Sequence, residues 1–154
     1  MGRVDSAGRK RYTSITMTLK ILILEDDPMR IDVFRDSLSR HKLFFVHEAA
    51  NAIALIKSEV EAGDAFDVIF LDHDLGGETF VDYRHKNTGS EVVRWIRSYG
   101  GVLNQPYIII HSMNTVEAMN MERGLVSHGL EFVYHIPFSR LMSHYLNDPS
   151  FLSR

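Results

Sequence analysis

Two apolar runs that end in acid restrict this chain more than any other feature. Ile21-Leu22-Ile23-Leu24 leads into Glu25-Asp26-Asp27, and Val68-Ile69-Phe70-Leu71 leads into Asp72-His73-Asp74. Each run has strand length and no polar alternation, the pattern of a strand buried on both faces. Two such strands empty their carboxylates into one pocket. Acids crowded together resist ionisation unless a cation or strong donors sit among them, so the arrangement asks for a divalent metal.

Short β-branched or aromatic runs recur from Leu19 onward, at Leu19–Leu24, Leu43–His47, Phe66–Leu71, Tyr107–His111 and Glu131–His135. Segments of helical period separate them. Pro28 suits the first turn of a helix carrying Ile31, Phe34 and Leu38, and Asn51 is placed to cap a second with Ile53, Ile56 and Val60 inward, stopped by Gly63. Thr88 with Glu91 has capping-box spacing before Val92, Val93 and Ile96. Asn114 with Glu117 repeats it more loosely before Met121 and Leu125, and Gly129 ends that helix. An amphipathic turn or two over Ser139 to Leu146 closes the pattern. Strands alternating with helices predict an α/β fold: a single doubly wound (βα)5 domain, flavodoxin-like, with a five-stranded parallel sheet. Ligands of such sheets sit beyond the carboxyl ends of the strands, where the acids lie.

Met1 to Thr16 are polar and hold Arg3, Arg9, Lys10 and Arg11, so residues 1–16 read as a disordered leader and 17–154 as the domain. Without the leader the net charge falls from −3 to −6, which disfavours an extensive nucleic-acid groove. Cysteine is absent, excluding disulfides and thiolate metal sites. No apolar run approaches the roughly 20 residues of a membrane span. The expected location is the cytoplasm.

The runs ILILEDDPMR, FDVIFLDHDLGG, TGSEVVRWIR, PYIIIHSMN and FVYHIPF, in that order, resemble a response-regulator receiver domain over roughly Leu19 to Leu146. The resemblance implies that Glu25, Asp26 and Asp72 bind magnesium or manganese and that Asp72 is the phosphate-accepting position. It also puts Ser112 where receivers carry a switch hydroxyl. Two departures stand out. Ile136 occupies the place of the lysine that precedes the proline in receivers, and about ten residues, Glu78 to Asn87, are inserted where receivers turn sharply. Lys86 or Arg84 of that insert is a candidate replacement for the missing charge.

The histidines of Asp-His-Asp-Leu and His-Ser-x-Asn are similar to those of the cyclic-phosphate processing receiver group, a branch inferred to act on cyclic phosphate ends of RNA or nucleotides. That resemblance implies metal-dependent phosphoester processing, with a phosphorylated small molecule or RNA terminus as partner. Asp72, His73 and His111 are then the catalytic candidates, Ser112, Asn114 and Lys86 the phosphate-binding ones, and Glu25, Asp26, Asp72 and Asp74 the metal ligands. Strand alternation leaves His73 a second reading, turned away from Asp72 beneath the insert. Two other functions stay open: a stand-alone receiver phosphorylated at Asp72, and a non-catalytic pseudoreceiver that binds a partner or nucleotide.

Overall fold

The computed structural model describes residues 17–77 and 81–153, so the expected leader lies outside the described residues. Five parallel strands form one sheet: β1 (Lys20–Leu24), β2 (Lys42–Val46), β3 (Val68–Leu71), β4 (Tyr107–Ile110) and β5 (Val133–His135). Their order is β2-β1-β3-β4-β5. The three central strands are the apolar runs, and nearly every residue in them is buried because helices cover both faces.

Alternation divides their side chains between two cores. Leu22, Leu24, Ile69, Leu71, Ile108 and Ile110 pack against α2 (Ala49–Glu61), α3 (Gly89–Ser98) and α4 (Thr115–Ser127). Ile21, Ile23, Val68, Phe70 and Ile109 face α1 (Pro28–Ser37) and a short last helix, α5 (Phe138–Arg140), which widens into a π turn over Leu141–Tyr145.

Three helix starts follow the expected chemistry. Asp27 caps α1 by accepting from the Met29 amide, with Pro28 at the first position. Thr88 accepts from Glu91, and Asn114 from Glu117. The start of α2 differs from expectation: the helix begins at Ala49, so Asn51 lies inside it. Glu48 makes no side-chain cap, and the Ala49 amide donates instead to Asn87 Oδ1, in the insert, at 3.0 Å. Gly89 meets a different demand. A Cβ there would stand 2.1 Å from the Asp72 carbonyl oxygen, so only glycine lets α3 begin against the end of β3. Among the described residues no helix is long and apolar enough to cross a membrane.

Candidate functional site

The register of the sheet builds the site. Leu24 pairs with Leu71, and Leu71 with Ile110, so the next residues of β1, β3 and β4 are Glu25, Asp72 and His111. All three continue the face of Ile23, Phe70 and Ile109, with adjacent strands separated by about 4.8 Å. They are almost completely buried, and one ligand atom from each lies within 4.8 Å of the others.

Glu25 is the most tightly held. Its Oε1 accepts from the amides of Asp26 and Asp27, each at 3.0 Å, and its Oε2 accepts from His111 Nε2 at 2.9 Å. Burial pushes this carboxyl up, but the His111 bond and charge, the Asp27 amide and Arg30 outweigh burial and hold it below its ordinary value. Asp72 has weaker support: its Oδ1 accepts from the His73 amide at 2.8 Å. Burial dominates there and, with the charge of Glu25, raises its pKa to about 6 despite His111 and Arg30. The two neighbouring carboxylates are thus tuned apart.

A cavity of roughly 410 Å³ opens on this edge, walled by Glu25, Asp26, Asp72, Asp74, Asn114 and Arg30, among others. Asp26 accepts from the Gly77 amide at 2.8 Å, and Asp74 accepts from the Val81 amide at 2.9 Å. Asn114 Nδ2 donates to Asp74 at 3.5 Å while its Oδ1 caps α4, so this residue ties the rim to a helix start.

Other expected site residues lie elsewhere. His73 has the opposite parity to Asp72 and is completely buried. Its Nε2 donates to the Val81 carbonyl at 2.7 Å, with Asp74 Oδ1 3.9 Å away, and its Nδ1 accepts from Ser90 at 3.0 Å, so both nitrogens are engaged beneath the insert. Ser112 is displaced by the same alternation. β4 sends His111 toward the acids, whereas the buried Ser112 hydroxyl accepts from the Asn114 amide at 3.1 Å. His111 itself stands behind Glu25, its ring edge-on to Phe34 and its Nδ1 buried without a hydrogen-bond partner among the described residues. It touches the reacting space through Glu25.

The insert does not supply the missing charge either. Lys86 is exposed and is not part of the cavity wall, and Arg84 is occupied by Asp82 at 2.8 to 3.2 Å. Described parts of the insert fold back on α3, where Arg94 donates to the carbonyls of Tyr83 and His85. The basic wall residue is Arg30, which the sequence reading did not assign. Its Nη1 lies 3.7 Å from Glu25 Oε2 and 3.6 Å from Asp72 Oδ2. The available signal was its place in the first turn of α1, three residues after Asp27.

Oxygen donors on a rigid strand edge suit a hard divalent ion, and the carboxylates of Glu25 and Asp72 are such donors, with the His111 imidazole in the same cluster but bonded to Glu25. The chain matches the family model of the Cyclic-phosphate processing Receiver domain over residues 21–127. It belongs to this family. The receiver fold is shared with the Mn(2+)-bound form of response regulator Rcp1, at 17% identity and a TM-score of 0.52, covering 76% of this chain and 79% of that one. It is also similar to an adenylate cyclase structure from Rhodopirellula baltica, at 22% identity and a TM-score of 0.53, covering 79% and 78%. A mutant receiver domain of the histidine kinase CKI1 from Arabidopsis thaliana gives 19% and 0.52, covering 79% and 81%. At these identities the likeness establishes the fold alone. None of the curated proteins compared matches the chain.

Proposed function

We propose that this receiver domain opens cyclic phosphodiesters at RNA ends or on nucleotides, with a divalent ion held by Glu25 and Asp72. The observation that carries the reading is the convergence of these buried carboxylates with His111 at one edge of the sheet, in a chain of the cyclic-phosphate processing family. When bound, the ion supplies positive charge to the non-bridging oxygens of a phosphate. Asp26 and Asp74 extend the oxygen-donor wall around it.

The chain's own residues then divide the remaining work. His111 keeps Glu25 ionised in a buried setting, which preserves a negative ligand without exposing it to water. His111 is therefore a positioning residue. Asn114 holds Asp74 and the start of α4 in register, leaving amides of the first helical turn near the rim for an anion. Ring opening consumes one water: a new P–O bond forms, one bond from phosphorus to a ribose oxygen breaks, and that oxygen takes a proton. The product is a phosphomonoester.

A second reading is favoured by Asp72 itself. It ends β3 and lines the cavity, with Oδ2 toward Arg30, the placement expected of a phosphorylated receiver aspartate. Incubation with 2′,3′-cyclic nucleotides, cyclic-phosphate-ended RNA and acetyl phosphate separates the readings when followed by phosphorus NMR with magnesium, manganese or chelator. Metal-dependent ring opening, lost in Asp72→Asn, supports the phosphoesterase. Acyl phosphate without ring opening establishes the signalling receiver, and no reaction in any mixture overturns both in favour of a binding-only domain.

A further inference from the structure

Arg30 stands among the acids that would hold a metal ion. Its Nη1 lies between Glu25 Oε2 and Asp72 Oδ2, at 3.7 and 3.6 Å, and its Nε is 3.9 Å from Asp27 Oδ2. All three separations exceed hydrogen-bond length, so these are loose ion pairs that a smaller, doubly charged ion can displace. The guanidinium also rests over the Phe138 ring, 5.0 Å from its centroid. Phe138 is buried, and its amide donates to the His111 carbonyl at 3.0 Å, so the ring is a fixed platform built into the core.

A guanidinium displaced from the acids therefore has a surface along which to move without entering water fully. Its planar head can slide over the ring and present its fork of donors to the cavity. Among the described residues lining that cavity, Arg30 alone carries positive charge. Ile136, at the position of the receiver lysine, instead lines a separate apolar cavity with Leu19, Val68 and Tyr145.

We propose that Arg30 holds the place of the divalent ion between Glu25 and Asp72 and, once that ion arrives, becomes the phosphate-binding cation of the cleft. Arg30 thereby takes over from α1 the work of the lysine that Ile136, after β5, replaces. The inference rests on the metal-dependent phosphoester reading of this cleft. It makes metal and phosphate binding cooperative, because the ion frees the donor that the anion needs.

The distinguishing consequence is a pair of opposite shifts. Arg30→Gln removes the competing charge and should tighten Mn2+ binding, measured by calorimetry with the metal alone. The expected gain is about fivefold or more, the factor that one unit charge at this separation produces even in water. The same variant should bind inorganic phosphate about 10- to 100-fold more weakly at saturating Mg2+, the range for a lost charge-assisted contact. Arg30→Lys keeps the charge without the planar fork and should give intermediate values for both, and a thermal melt of each variant verifies its fold.

Weaker binding of both ligands by Arg30→Gln would make Arg30 a structural support and overturn the proposal. Unchanged phosphate affinity would make it a mere neutraliser of acids and overturn it equally. Opposite shifts without cyclic-nucleotide turnover by the native chain would refute the phosphoesterase and leave the role of Arg30 standing. Turnover without the opposite shifts would do the reverse.

Discussion

Replacing His111 with Phe removes one donor from Glu25 while leaving a planar ring among Phe34, Phe70 and Phe138, whose centroids lie 5.2, 6.3 and 6.5 Å from the imidazole. Glu25 is fully buried in the native chain, so the donor is lost from a carboxylate already stripped of most of its water. Oε1 keeps the amides of Asp26 and Asp27, whereas Oε2 is left with Arg30 at 3.7 Å. Leaving a buried carboxylate short of one hydrogen-bond donor costs about 3 kcal/mol, at the upper end for a lost hydrogen bond because the acceptor is charged. For a domain of this size the corresponding fall in Tm is ~6–12 °C.

That loss must depend on pH. Glu25 in the native chain is held below its ordinary value of 4.5, so its stabilising contribution is present above that value and fades as pH falls through the folded-state value. Without His111, burial raises the carboxyl, and a bound proton removes the uncompensated charge. Acidification should therefore narrow the gap between variant and native protein. Thermal and urea unfolding in chelator at about pH 7 and about pH 5 measure it. A gap of equal size at both would mean steric damage in the phenylalanine cage, and no gap at all would refute the stabilising bond from His111 to Glu25.

The neighbouring acid should behave in the opposite sense. Asp72 is raised to about 6 from 3.8, so its contribution is fully present below the lower value and lost as pH rises through the higher one. Asp72→Asn should then stabilise the metal-free domain above pH 6, by about 2–3 kcal/mol, while abolishing turnover and weakening Mn2+ binding; destabilisation in urea would contradict this. For the native chain, apparent Mn2+ affinity should be about tenfold lower at pH 5 than at pH 7, because the proton on Asp72 competes with the ion; a flat calorimetric profile would exclude Asp72 as a ligand. His73→Ala should speed hydrogen exchange in residues 81–87 and change Mn2+ affinity less than about twofold, since both ring nitrogens serve Val81 and Ser90. A large loss of metal affinity would return His73 to the site.

The five strands, the start of α1 at Pro28 and the caps at Thr88 and Asn114 were legible because each depends on local rules: apolar runs, Pro at a first turn, and a side-chain oxygen three residues before its amide. Glu25 and Asp72 were legible for the same reason, each standing directly after a buried strand. His73 and Ser112 adjoin Asp72 and His111 and face the other way; strand alternation had left that second reading open for His73, and the register of neighbouring strands decides it. Arg30 required the rotation of α1 about its axis, and the start of α2 depended on Asn87, far along the chain. Contacts that join distant elements leave little local trace.

That last contact makes the insert difficult to remove. Receivers turn sharply after the third strand, but here the far end of the added loop supplies the acceptor for the first amide of α2, a helix whose own Glu48 makes no side-chain cap. Trimming the loop back to a short turn would strip that helix start of its partner unless Glu48 became Ser, Asp or Asn in the same step. The bond from Ala49 to Asn87 lies at the same edge of the sheet as Glu25, whose amide donates to the Val46 carbonyl three residues before Ala49, so a change in the loop is felt directly beside the acids.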